Sequence, residues 1–188
     1  MDISSLLDRR ALLAALGLAS IGFAAAGADM PPTHFQLSSS AYKDQAPMDE
    51  RFTCEGDSVS PPLKWSGAPA GTKSFALIVD DPDAPDPAKP QRTFVHWVIY
   101  DIPAGVSSLA EGASTQLPGG ARSGANDRGD AAYTGPCPPI GRHRYFHKLY
   151  ALDVVLPDLH NPNKTQLLAA MKDHVLAETQ LIGTYQKH

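Results

Sequence analysis

A mainly β fold with antiparallel pairing is the architecture this sequence encodes. Three long runs, at 74–80, 93–101 and 144–155, are rich in β-branched and aromatic residues. Clusters of Pro, Gly and Asp separate them, at 57–62, 67–72, 81–90, 117–130 and 135–141. No helical pattern alternates with the strands, which argues against the parallel sheet of an α/β fold.

Taken in order, short strands are expected near 35–37 and 63–65. Alternation over 74–80 places Phe75, Leu77 and Val79 on one face. In the next run, strict parity groups His96 with Phe94, Val98 and Tyr100, and sets Val95, Trp97 and Ile99 opposite. A short helix is expected over 107–111. In the third run His143 and Tyr145 share a face, and Arg144 points away from both. Leu168, Met171 and Val175, flanked by Leu167 and His174, predict a helix from 164 to about 180. Asn161 or Asn163 would cap it and Gly183 would stop it.

The chain has 188 residues and is 43% hydrophobic, enough for one core and too short for two comfortable domains. Its 16 Lys and Arg stand against 20 Asp and Glu, a formal charge of −4. That balance argues against a general nucleic-acid or anionic-membrane binder, while leaving room for a local basic pocket. Arg9 and Arg10 precede an apolar, small-residue run that ends in Ala26-Gly27-Ala28. This is the pattern of a cleaved export signal over 1–28, and the paired arginines also fit a twin-arginine route. Cleavage would leave one domain over 29–188, in the periplasm or outside the cell, with no permanent membrane anchor. The two remaining cysteines, Cys54 and Cys137, form an even count in an exported chain, so a disulfide between them is expected. Closing so long a loop removes unfolded-chain entropy equivalent to about 4–5 kcal/mol as an upper figure.

The chemistry-bearing residues lie in three segments. Asp81-Pro82-Asp83-Ala84-Pro85 leaves a strand and turns at once, because its prolines fix the backbone. His96 interrupts an apolar strand, where an unpaired imidazole is costly. Residues 135–145 form a stiff Pro/Gly loop feeding a strand, with Pro138, Gly141, His143 and Tyr145. Three readings compete. The first is an anion pocket of histidine N–H groups, the Tyr145 hydroxyl and backbone N–H groups of the Gly141 turn, with an aspartate fixing a histidine tautomer. The second is a metal site of Asp81 or Asp83 with His96 and His143, which lacks any dedicated ligand spacing. The third is hydrolysis with His96 or His143 as general base, although no nucleophile motif is present.

Asp81-Pro82-Asp83-Ala84-Pro85, His96-Trp97 and Gly135 to Tyr145 together resemble the signature of the phosphatidylethanolamine-binding protein family, in its short bacterial branch. The likeness extends to Phe52-Thr53-Cys54-Glu55-Gly56, Ser60-Pro61-Pro62-Leu63-Lys64-Trp65 and residues 174–185. It implies a large antiparallel sheet packed with a smaller one, few helices including one near the C-terminus, and a cis Ala84–Pro85 bond. It also implies a small anion cavity lined by Asp81, Asp83, His96, Pro138, Gly141, His143 and Tyr145. The ligand would be phosphate, a phospholipid head group or a phosphorylated metabolite, with neither cofactor nor metal. Relatives that inhibit proteases or kinases imply a further alternative, action through the pocket rim. Three departures stand out: Arg142 as an extra cation at the rim, His147 where an apolar aromatic is usual, and Asp173 where Gly is common.

Overall fold

The computed structural model describes residues 34–188, so the expected leader over 1–28 lies outside the described residues. The described strands are β1 (Gln36–Ser38), β2 (Ala46–Pro47), β3 (Leu63–Ser66), β4 (Ser74–Asp81), β5 (Phe94–Pro103), β6 (Ser108–Leu109), β7 (Arg122–Gly124), β8 (Arg142–Leu152) and β9 (Val175–Gln186), with α1 (Lys164–Met171) before β9. Six of them form a large sheet in the order β2-β9-β8-β4-β5-β7, and β1-β3-β6 form a small one. All pairs are antiparallel except β2 with β9. Among the described residues no helix is long and apolar enough to cross a membrane.

Alternation along the strands divides the apolar residues into two layers. Phe75, Leu77 and Val79 of β4 face the small sheet, where they meet Leu37, Leu63, Trp65 and Leu109. Ala76 and Ile78 face the other way and are covered by Leu167 and Met171 of α1. Strand β4 is therefore buried on both faces along its whole length. At its end this alternation separates two neighbouring carboxylates. Asp80 points to the helix side, where the ammonium groups of Lys148 and Lys164 reach it at 2.9 and 2.5 Å. Asp81 points to the side of the small sheet.

Three local expectations are corrected. The first concerns β5. Val79 faces Trp97 and Asp80 faces Val95, so His96 is an extra residue without a partner on β4. This β-bulge breaks strict parity. Val95 joins Val98 and Tyr100 in the helix-side layer, while His96 turns its ring edge-on to Tyr145, 5.2 Å between centroids. The second concerns the C-terminal helix, which ends at Met171. Asn163 caps it in a reciprocal box with Gln166, and its buried stripe is Leu167 and Met171; Leu168 and Val175 are exposed. Asp173 adopts a left-handed φ of 67°, which Asp tolerates better than most residues, and the chain re-enters the sheet as β9. Leu181, Gly183 and Tyr185 then alternate inward against β8, a period of two that helical spacing cannot satisfy. Gly183 is thus a strand residue rather than a stop, and a Cβ there would strike the side chains of Met48 and Tyr42. The third correction is small: 107–111 contains β6, paired to β3, in place of a helix.

Candidate functional site

Five pieces of chain meet at one end of the large sheet: the end of β4, the loop over 82–93, the bulged start of β5, the loop over 125–141 and the start of β8. They enclose a cavity of about 160 Å³. Its walls are largely apolar, from Ala84, Pro85, Phe94, Pro138 and Pro139. Asp81, His96 and His143 supply polar groups inside, and Arg92 and Arg128, both exposed, stand at the mouth.

Asp81 and His143 form a closed unit. One Asp81 carboxylate oxygen accepts from the His143 Nδ1–H at 2.7 Å, and the other accepts the backbone N–H of Asp83 at 2.8 Å. The second His143 nitrogen, Nε2, lies 3.0 Å from the Ile140 carbonyl oxygen. Both ring nitrogens therefore lie against protein oxygens. His96 differs. Its Nδ1–H donates to the Thr134 carbonyl at 2.7 Å, while Nε2 has no partner among the described residues and opens to the cavity. Burial pushes the His96 pKa below its ordinary value, with Arg128 acting the same way; the Thr134 bond and the carboxylates of Asp81 and Asp127 oppose them without reversing the shift.

The loop that carries Arg128 and Thr134 is ordered by a buried amide. Asn126 accepts from the backbone of Arg128 and Asp130 at 2.9 and 3.0 Å, and donates to the Ala132 carbonyl and the Thr134 hydroxyl at 2.9 and 3.0 Å. The loop is also laced to β5. Asp127 N–H donates to the Val95 carbonyl, Val95 N–H donates to the Asp127 carboxylate, and Thr134 N–H donates to the His96 carbonyl. On its far side, Cys137 is joined to Cys54 by a disulfide across 83 positions, and Gly135 N–H donates to the Ser58 hydroxyl.

Of the residues the sequence singled out, Asp81, His96, Pro138 and His143 line the cavity, and three do not. Asp83 turns to the helix side of β8, where the Arg144 guanidinium grips it in two bonds of 2.9 and 2.7 Å and holds its carboxyl below the usual carboxylate range. The two aspartates thus take partners on opposite faces of β8, and the Ala84–Pro85 bond that follows them is cis. Tyr145 packs beneath the two imidazoles; its hydroxyl is buried without a partner among the described residues, and burial pushes its pKa upward. Gly141 shapes the loop through a φ of 71° and close packing on Pro87, without reaching the wall. The four proposed metal ligands do not converge, since Asp83 is taken by Arg144 and His143 is saturated. Among the described residues no cluster of three or more His, Cys, Asp or Glu is placed to hold a metal ion. For covalent hydrolysis, Thr134 Oγ1 is engaged by Asn126 and Cys137 by its disulfide. Arg142 faces a different groove, with Pro47 and Tyr185. His147 is a satisfied core histidine: it is fully buried, with the Tyr42 hydroxyl 3.2 Å from Nδ1.

Sequence reasoning missed Arg92 and Arg128. Arg92 stacks its guanidinium over Phe94 at 5.0 Å, and its nearness to the His96 strand was the available signal. Arg128 stands at the mouth on the loop that Asn126 folds back on itself.

The profile of the phosphatidylethanolamine-binding protein family matches residues 38–186. A UPF0098 protein of Methanothermobacter thermautotrophicus is 46% identical over 153 residues, covering 80% of this chain and 98% of that one. Among solved structures, the Chlamydia trachomatis protein CT736, a phosphatidylethanolamine-binding protein homolog, is 42% identical with a TM-score of 0.75, covering 82% of this chain and 98% of that one. Escherichia coli YbcL, described as a new member of the mammalian family, is 34% identical with a TM-score of 0.75, covering 82% of this chain and 99% of that one. The two-sheet architecture, the ordered motifs and these matches together show that the chain belongs to the phosphatidylethanolamine-binding protein family.

Proposed function

We propose that this protein binds a small anion, phosphate or a phosphorylated head group, in the cavity between β4, β5 and β8. The observation that carries the reading is the pair of guanidinium groups, Arg92 and Arg128, at the mouth of a small and largely apolar cavity. Guanidinium groups suit phosphate oxygens in particular, and the apolar wall behind them keeps water from the inner side of the anion. The family's name supports a phospholipid head group as one source of that phosphate. The Asp81 carboxylate does not oppose the anion freely, because each of its oxygens already accepts a hydrogen bond.

Calorimetric titration with inorganic phosphate and with phosphoethanolamine tests this. The wild type is expected to bind both. Arg92→Ala/Arg128→Ala is expected to lose about 1.5–3 kcal/mol of binding while keeping its circular dichroism spectrum. Absence of binding to either ligand, or unchanged affinity in the folded double variant, overturns the reading.

We also propose that the protein acts after export. The leader-like segment over 1–28 and the disulfide support this, since such bonds persist in oxidising compartments. Amino-terminal sequencing of the native protein is expected to begin near Asp29; an intact Met1 sinks cleavage.

A further inference from the structure

We infer that the ligand group seated against His96 is a hydrogen-bond donor, so that the cavity selects an anion keeping a proton on oxygen, such as hydrogen phosphate, over one that has none, such as sulfate. This rests on the anion-binding reading above and names the ligand's protonation state.

The argument starts from Thr134. A carbonyl oxygen can only accept, so the 2.7 Å contact places a hydrogen on His96 Nδ1. In the neutral ring the other nitrogen, Nε2, then carries a lone pair, and it opens to the cavity. The next polar group on the wall, the Asp81 carboxylate, is also an acceptor. His143 Nε2 lies against the Ile140 carbonyl and Nδ1 against Asp81, and the Gly141 turn does not reach the wall. His96 Nε2 and the Asp81 carboxylate are thus acceptors inside, and the two cationic donors, Arg92 and Arg128, stand at the mouth. An anion lodged there meets guanidinium groups with its outer oxygens and a lone pair with its inner one. A bare inner oxygen leaves two acceptors facing each other in a desolvated site, whereas an O–H makes a bond.

The groups around His96 set how far this holds with pH. Asp81 from β4 and Asp127 from the loop favour its protonation, Arg128 and burial oppose it, and Tyr145 packs against its ring. His147, from β8, is itself held neutral by burial. The net direction keeps His96 neutral at neutral pH and admits a proton only in acid. A protonated ring gains an Nε2–H that donates to either kind of oxygen, so selectivity must fade as pH falls.

The test is titration of the wild type at constant ionic strength with inorganic phosphate, sulfate and fluorophosphate. At about pH 7.5 all three are mainly dianions of similar size, and only phosphate keeps an O–H. Phosphate is expected to bind at least about tenfold more tightly than either of the others, a difference of one hydrogen bond in a desolvated site. His96→Gln, whose amide can present either oxygen or nitrogen, is expected to bring the three within about threefold of one another. Equal binding of sulfate and phosphate by the wild type at about pH 7.5 overturns the inference and leaves anion binding standing. Failure of all three to bind overturns both. The wild-type comparison decides by itself if His96→Gln does not fold.

Discussion

His147 makes the stability of this protein sensitive to mild acid. The ring is fully buried beside the Tyr42 hydroxyl, and burial pushes its pKa down to about 4. In the unfolded chain the same ring titrates near about 6.5. The unfolded state therefore takes up a proton first as pH falls, and stability drops from about pH 6.5 downward until the folded ring titrates near about 4. At about 1.36 kcal/mol per pH unit, the loss reaches about 2 kcal/mol by pH 5 and levels off near about 3 kcal/mol below pH 4. His147→Phe removes the titration but leaves the Tyr42 hydroxyl without its partner, which costs about 1–3 kcal/mol at every pH. Tyr42→Phe/His147→Phe removes both polar ends and is the cleaner reference. Urea unfolding of wild type and double variant at about pH 7 and about pH 5 gives the comparison. The variant is expected to lose about 2 kcal/mol less than the wild type over that interval. Carboxylates such as Asp83, whose depressed pKa also makes stability fall in acid, are common to both proteins and cancel in the difference. An identical pH-dependent loss in a folded double variant would refute the reasoning.

Two further expectations concern packing and covalent restraint. Cys54→Ser/Cys137→Ser is expected to lower unfolding stability by about 2–5 kcal/mol, measured by denaturant midpoint, because the bridge no longer restrains the unfolded chain; an unchanged midpoint would refute it. Gly183→Val is expected to cost about 1–3 kcal/mol or more, since its side chain collides with Met48 and Tyr42 inside the core; thermal melting at or above the wild-type temperature would show that β9 does not sit as described.

The long strands β4, β5 and β8 were legible because alternating burial leaves a period-two pattern, and Asp81, His96 and His143 line one cavity, a grouping that only the family resemblance had implied. The Cys54–Cys137 pairing and the cis Ala84–Pro85 bond also match. What escaped depends on geometry that neighbouring residues do not encode. The bulge at His96 exists because β5 holds one more residue than β4 opposite it, so parity counted along β5 alone assigns Val95 to the wrong layer. Helical spacing in 167–175 is genuine, but β8 offers an unpaired strand edge to everything after Asp173, and that tertiary demand decides β9. Asp83 belongs to the cavity by the family resemblance and is taken instead by Arg144, a bidentate partner. Tyr145 shares the correct face but stops one layer short of the wall.

The lacing between the loop and β5 has a meaning beyond the site. Strand β7 pairs with β5 only from Val98 to Tyr100, which leaves Val95 and His96 at the rim of a buried sheet. Asp127 and Thr134 occupy the backbone groups there that a further strand would otherwise use. The segment that builds the cavity thereby also blunts an open edge, and open edges recruit other chains. Substitutions that loosen Asn126 would expose a template for intermolecular strand addition, so the shape of the cavity and resistance to self-association depend on the same short loop.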